Sequence, residues 1–135
     1  MNEKEIIIDA TNATLGRLAS YAAKQALQGK KVIILNSEKA IITGKKKFII
    51  EKYQTRRRRG GTAMKGPLIS KLPEKIVKRT IRGMLNYKEG RGREAFKRIL
   101  CFKGIPEKYK DKKMLKAGKE KHCIYVGLEE VSRKI

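Results

Sequence analysis

The chain has 135 residues, 40% of them hydrophobic, enough apolar side chain for the core of one domain. Its 35 lysines and arginines outnumber 13 acidic residues to give a formal charge of +22, far beyond what solubility needs, so the composition points to a polyanionic partner. No apolar run approaches the roughly 18 residues of a membrane span, and "MNEKEIIIDA" lacks the pattern of a signal peptide, so the chain is expected to be soluble and intracellular, without a membrane partner. Two cysteines without short C-x-x-C spacing exclude a disulfide scaffold and a zinc finger, and the adjacent His122 and Cys123 fall short of a metal-ligand set.

Residues 1–29 carry three basic and three acidic side chains, so the whole positive excess lies after Gly29. "EIIIDA", Glu5–Ala10, predicts a buried strand. The period then changes. With Thr14 as N-cap, Leu15, Leu18, Ala19, Ala22, Ala23, Ala26 and Leu27 share one helical face, and Gly29 ends the helix. "KVIILN", Lys31–Asn36, predicts a second buried strand, and strand–helix–strand with tight connections implies a right-handed parallel βαβ unit. "KAIITG" follows as a short third strand and "KKKFIIEKYQTR" as a helix, while "RRRGGTAMKGPLISKL" has no period and reads as an extended loop.

"PEKIVKRTIRGMLNY", Pro73–Tyr87, carries the clearest helical pattern, with proline in the first turn. Lys75, Lys78, Arg79 and Arg82 cluster on one side, and Ile76, Val77, Ile81, Met84 and Leu85 on the other. A short helix over about Arg93–Arg98 turns Phe96 inward and leads to a strand in "ILCFKG", Ile99–Gly104. Beyond Ile105 the lysine-rich sequence reads as an arm outside the core, ending in "CIYVGLEEVSRKI" as a strand and a helical turn. The expectation is thus a single domain over 1–135, with its core in about 1–104 and a basic C-terminal arm in about 105–135.

Enzyme signatures are weak. "GRGREA" fits the dinucleotide fingerprint G-x-G-x-x-A but follows a helix where the motif requires a strand, and "TGKKK" lacks the earlier glycine and the hydroxyl of a P-loop. The one histidine lies in the basic tail, with no base-and-nucleophile pair around it. No catalytic residue, cofactor, metal or small-molecule substrate is expected. Residues 45–98, in contrast, hold 19 basic residues against four acidic ones. Many of the cations are arginines suited to bidentate phosphate contacts, with glycines between them that let backbone approach a phosphate chain. The candidate RNA-binding residues are Lys45, Lys46, Lys47, Arg56, Arg57, Arg58, Arg59, Lys65, Lys75, Lys78, Arg79, Arg82, Lys88, Arg91, Arg93, Lys97 and Arg98. A basic surface spread over helices, loops and a tail suits folded RNA better than a regular DNA groove.

"IDATNATLGRLAS", "VIILNSEKAIITGKKK" and "RTIRGMLNYKEGRGREAFKRILCFKGIP" together resemble the large-subunit ribosomal protein L-thirteen family, in its archaeal and eukaryotic-like branch, over almost the whole chain. The most specific block is Arg82 to Leu85, Gly92-Arg93 and Leu100 to Gly104. The resemblance implies a three-layer α/β/α domain around a four-stranded parallel sheet. It also implies a nonenzymatic structural constituent of the large ribosomal subunit in the cytoplasm, partnered by ribosomal RNA and neighbouring ribosomal proteins. In that setting Arg56 to Arg59 and the glycines after them would form a loop that threads RNA and orders on binding. Where the family usually has proline after the Met-Leu pair this chain has Asn86, which would let the Pro73 helix run slightly further, and Ile135 ends the sequence without the long extension of eukaryotic members. The other functions considered are a free-standing RNA-binding regulator and a nucleotide-using enzyme on a Rossmann-like fold.

Overall fold

A computed structural model describes residues 4–59, 69–119 and 123–135. The chain runs β1 (Glu5–Asp9), α1 (Leu15–Leu27), β2 (Lys31–Leu35), a 3-10 turn (Ser37–Lys39), β3 (Ile41–Thr43), α2 (Lys46–Arg58), α3 (Pro73–Met84) and α4 (Gly90–Lys97). It continues through β4 (Ile99–Cys101), a second 3-10 turn (Glu107–Tyr109), β5 (Leu115–Lys116), β6 (Tyr125–Gly127) and α5 (Leu128–Lys134). Four strands form a parallel sheet in the order β4-β2-β1-β5, with Glu5 opposite Lys31 and Val32 opposite Ile99. The other two, β3 and β6, pair antiparallel.

The isoleucine runs are continuous because the sheet is covered on both faces. Side chains alternate across a strand. Ile8, Val32 and Ile34 accordingly enter the main core with α1, α3, Ala95 of α4 and Leu128 of α5, whereas Ile7, Ile33 and Leu35 pack with Tyr109 on the opposite face. There the third layer is thin, consisting of the Glu107–Tyr109 turn with Phe102 and Met114, and the Phe102 and Tyr109 rings sit 5.7 Å apart. On the helical side Ala19, Ala22 and Ala26 are fully buried, and these small side chains let α1 lie close to the sheet and to α3.

The carboxyl ends of β1 and β2 are stapled by Asp9. One Asp9 carboxylate oxygen accepts from the Thr11 N–H at 3.1 Å, the Thr11 hydroxyl at 2.7 Å and the Asn36 amide at 3.0 Å. Burial pushes the Asp9 carboxyl up, but these hydrogen bonds together with the Lys39 charge outweigh it and hold the group below its ordinary value. Asn12 and Asn36 both adopt left-handed backbone, φ 60° and 56°, a conformation asparagine tolerates better than most residues.

Several expectations need correction. The segment from 105 onward is not an arm outside the core. It supplies β5, the fourth strand of the main sheet, and Tyr109, Val126, Leu128 and Val131, all buried. Val126 and Val131 join Ile49 of α2 in a separate cluster, and the Leu128 N–H reaches the Ala40 carbonyl at 2.8 Å. The Pro73 helix stops at Met84 and gains nothing from Asn86, because the Asn86 carbonyl is already turned toward α4. It accepts from the Glu89 N–H at 3.1 Å and lies where a Cβ on Gly92 would be only 2.0 Å away. Met84 and Leu27 are exposed rather than core, and α4 begins at Gly90, three residues before the expected start. Arg56–Arg58 form the last turn of α2 and are not loop, since arginine is a good helix former and no breaker precedes Gly60. The rest of the expected RNA-threading loop, residues 60–68, lies outside the described residues.

Candidate nucleic-acid interface

α3 is amphipathic in the way its sequence implies. Ile76, Val77 and Ile81 are buried at 3%, 0% and 0% exposure, Pro73 starts the helix and Glu74 sits in the first turn. Burying these three apolar side chains fixes the rotation of the helix and brings Lys75, Lys78, Arg79 and Arg82 to the outer side. Two of these cations rest on aromatic rings: the Lys78 ammonium lies 5.2 Å from the Phe96 centroid on α4, and the Arg82 guanidinium 4.9 Å from that of Tyr87. Such seating contributes about 0.5–1 kcal/mol at an exposed site and limits the rotamers of a long side chain.

The end of α2 meets this stripe. Arg56 and Arg79 line one recess of about 190 Å³ together with Tyr53, Ile69, Ile76 and Thr80. Arg56 lies 5.9 Å from the Tyr53 ring centroid; burial raises the Tyr53 phenol above its ordinary value, and the Arg56 charge partly opposes that rise. Two guanidiniums flanking a half-buried aromatic ring can grip a phosphate and cover a base in one place. α4 extends the basic surface past α3: Arg93 donates to the Lys88 carbonyl at 3.2 Å, and Arg91 borders a groove with Lys24, Leu27 and Met84. Leu27 and Met84, expected in the core, instead form an apolar floor beside these two cations.

Not every candidate belongs to this face. Arg98 is half-buried and donates to the Ala26 carbonyl at 3.0 Å, fastening the C-terminal turn of α1, where a cation also answers the helix dipole. Lys46 pairs with Glu130 and ties α2 to α5, which raises the lysine above its ordinary value and lowers the carboxylate. Arg57 donates to the Ile135 carbonyl at 3.0 Å, beside the Gln54 amide on the Lys134 carbonyl. Lys97 makes a solvent-exposed pair with Glu94 at 3.7 Å. Lys45 lies over the exposed Phe48 ring, while Lys47, Arg58 and Arg59 are exposed at the two ends of α2, and Lys65 falls outside the described residues.

Sequence reasoning missed the aromatic seats. Tyr53 and Arg56 stand three apart on α2, a spacing that places them on one helical face and could have been read. The Phe96–Lys78 contact joins two elements and leaves no local signal. Among the described residues no group of three or more His, Cys, Asp or Glu could hold a metal ion, and no helix is long and apolar enough to cross a membrane. Burial pushes the Cys101 thiol up to about 12, which leaves it without thiolate character near neutral pH.

Comparison with known proteins agrees with this architecture. Residues 3–108 match the family model described as "Ribosomal protein L13". The chain is 43% identical to the large ribosomal subunit protein uL13 of Archaeoglobus fulgidus, covering 94% of this chain and 85% of that protein. It is 42% identical to the uL13 of Methanopyrus kandleri, at 98% and 87% coverage, and 42% identical to that of Methanosarcina barkeri, at 96% of each. With matches of this identity along nearly the full length, and the family model spanning β1 through the second 3-10 turn, the chain belongs to the ribosomal protein L13 family.

Proposed function

We propose that the chain is a nonenzymatic structural protein of the large ribosomal subunit, and that it braces folded ribosomal RNA with the basic face of α3, the C-terminal turn of α2 and α4. The observation that carries this reading is the division of α3. An apolar side sealed in the core fixes its orientation, and the outer side presents Lys75, Lys78, Arg79 and Arg82 as one stripe that continues to Arg56 through the shared recess. Phosphates that converge in a folded RNA would each find a cation there.

Gly90, Arg91 and Gly92 open α4 directly after a turn, not after a strand, so the fingerprint lookalike has no strand-to-helix phosphate cradle. That disfavours the nucleotide-using enzyme. Neighbouring ribosomal proteins would meet the remaining surface, and the working location is the cytoplasmic large subunit. Sedimentation of native extract separates this reading from a free-standing RNA regulator. The chain is expected to travel with the large subunit at physiological salt, and a predominant pool at the top of the gradient would overturn the structural role.

A further inference from the structure

One concavity away from the α3 face lies where the sheet reverses direction. From β1 the chain steps outward to β2 and β4, then returns to place β5 on the other side of β1. Ligands of open parallel sheets bind at such a reversal, outside the carboxyl ends of the strands. Here a cavity of about 380 Å³ opens between the start of α1 and the β1–β5 edge, with Ile8 and Leu18 at its base. Tyr21 and Leu115, 41% and 49% exposed, leave apolar surface open at its mouth, and Arg17, Lys116 and Lys119 stand around it. The wall carrying the two lysines is held by backbone. The Ala117 N–H donates to the Asp9 carbonyl at 3.2 Å, and Gly118 passes so close to Thr11 that an added Cβ would lie 1.8 Å from the Thr11 carbonyl oxygen.

We infer that this cavity receives one looped-out nucleotide of the bound RNA, its base against Tyr21 and Leu115 and its flanking phosphates against Arg17, Lys116 and Lys119. The inference rests on the RNA-binding reading above. The volume is at the low end for sites that hold one small organic molecule, roughly 300–1,000 Å³, which suits a single nucleotide and not a duplex. An apolar, aromatic-edged floor with cations only at the rim matches an unstacked base between two phosphates. A free nucleotide fits less well. Its terminal phosphates need a glycine-rich cradle of N–H groups, and the turn into α1, "TNATLG", offers one glycine.

The test uses the full chain and a large-subunit ribosomal RNA transcript from one of the archaeal relatives. Ala117→Trp fills the cavity from its exposed rim without entering the core, and Lys78/Arg79/Arg82→Gln serves as the control on the α3 face. Ala117→Trp is expected to melt like the parent and to bind the transcript at least about tenfold more weakly, within the range of base–aromatic stacking. A photoreactive phenylalanine analogue at position 21 should crosslink to one unpaired nucleotide. Full affinity in Ala117→Trp, or crosslinks scattered over many nucleotides, would overturn the inference while the α3 control still loses binding. If the α3 control also binds normally, the RNA-binding reading itself fails. Micromolar binding of AMP or GMP to the chain without RNA would show a free nucleotide as the occupant and equally overturn the proposal.

Discussion

The two sides of α3 can be separated by paired substitutions. Ile81 is fully buried, so Ile81→Ala removes three carbons from a closed core and should cost about 2–5 kcal/mol. For a domain of 135 residues, an unfolding entropy of about 2.1 cal/mol/K per residue makes each kcal/mol worth roughly 3–4 °C, so melting should fall by about 7–18 °C. Lys78/Arg79/Arg82→Gln removes the seats on Phe96 and Tyr87, at about 0.5–1 kcal/mol each, and should lower melting by only about 3–8 °C. RNA affinity should move the other way. The glutamine triple loses more than about tenfold in filter binding at constant salt, and Ile81→Ala, assayed well below its melting point, keeps nearly full affinity. A glutamine triple that melts as early as Ile81→Ala, or that binds as tightly as the parent, would refute this assignment of faces.

Three further outcomes are expected. Gly92→Ala brings a Cβ against the Asn86 carbonyl and must displace the turn into α4, so calorimetry should show destabilisation of several kcal/mol, whereas Gly83→Ala, with open space around its Cβ, should be neutral or stabilising. Asp9 has a lowered folded pKa, so its contribution is present above its unfolded value near 3.8 and is lost as pH falls through the folded value; Asp9→Asn should therefore show a shallower drop in melting temperature below about pH 4 than the parent, and an equal slope would remove Asp9 from the acid response. RNA affinity should fall steeply with monovalent salt, with a log–log slope steeper than about −4 for six or more phosphate contacts at roughly −0.7 each, and a flat slope would contradict the polycation reading.

The parts of the fold legible in sequence are those whose signal is local. β1, α1 and β2 announce themselves by a switch from an unbroken isoleucine run to a helical period and back, and α3 by a proline start and two opposed faces. β6 and α5 were legible as a strand and a helical turn, but β5 and the packing of the segment into the core were not, because Tyr109 is an isolated apolar residue in lysine-rich sequence and only the edge of β1 and the pairing with β3 give the segment its place. The same holds for the candidate interface. Charge and composition marked the right region, but a cation's job depends on what the fold brings to it: the Ala26 carbonyl for Arg98, Glu130 for Lys46, the Phe96 ring for Lys78. Arg17, Lys116 and Lys119 went unnoticed because they are scattered over the chain and meet only at the reversal of the sheet.

The most direct test of the basic face is lysine acetylation of the full chain, free and in complex with large-subunit ribosomal RNA, read residue by residue by mass spectrometry. Lys75, Lys78 and Lys88 should be modified readily in the free chain and strongly protected in the complex, while Lys108 and Lys110, beside the 3-10 turn on the far side of the sheet, stay reactive in both. Protection of Lys108 and Lys110 with Lys75, Lys78 and Lys88 left open would place the RNA on the wrong side of the molecule and contradict the account.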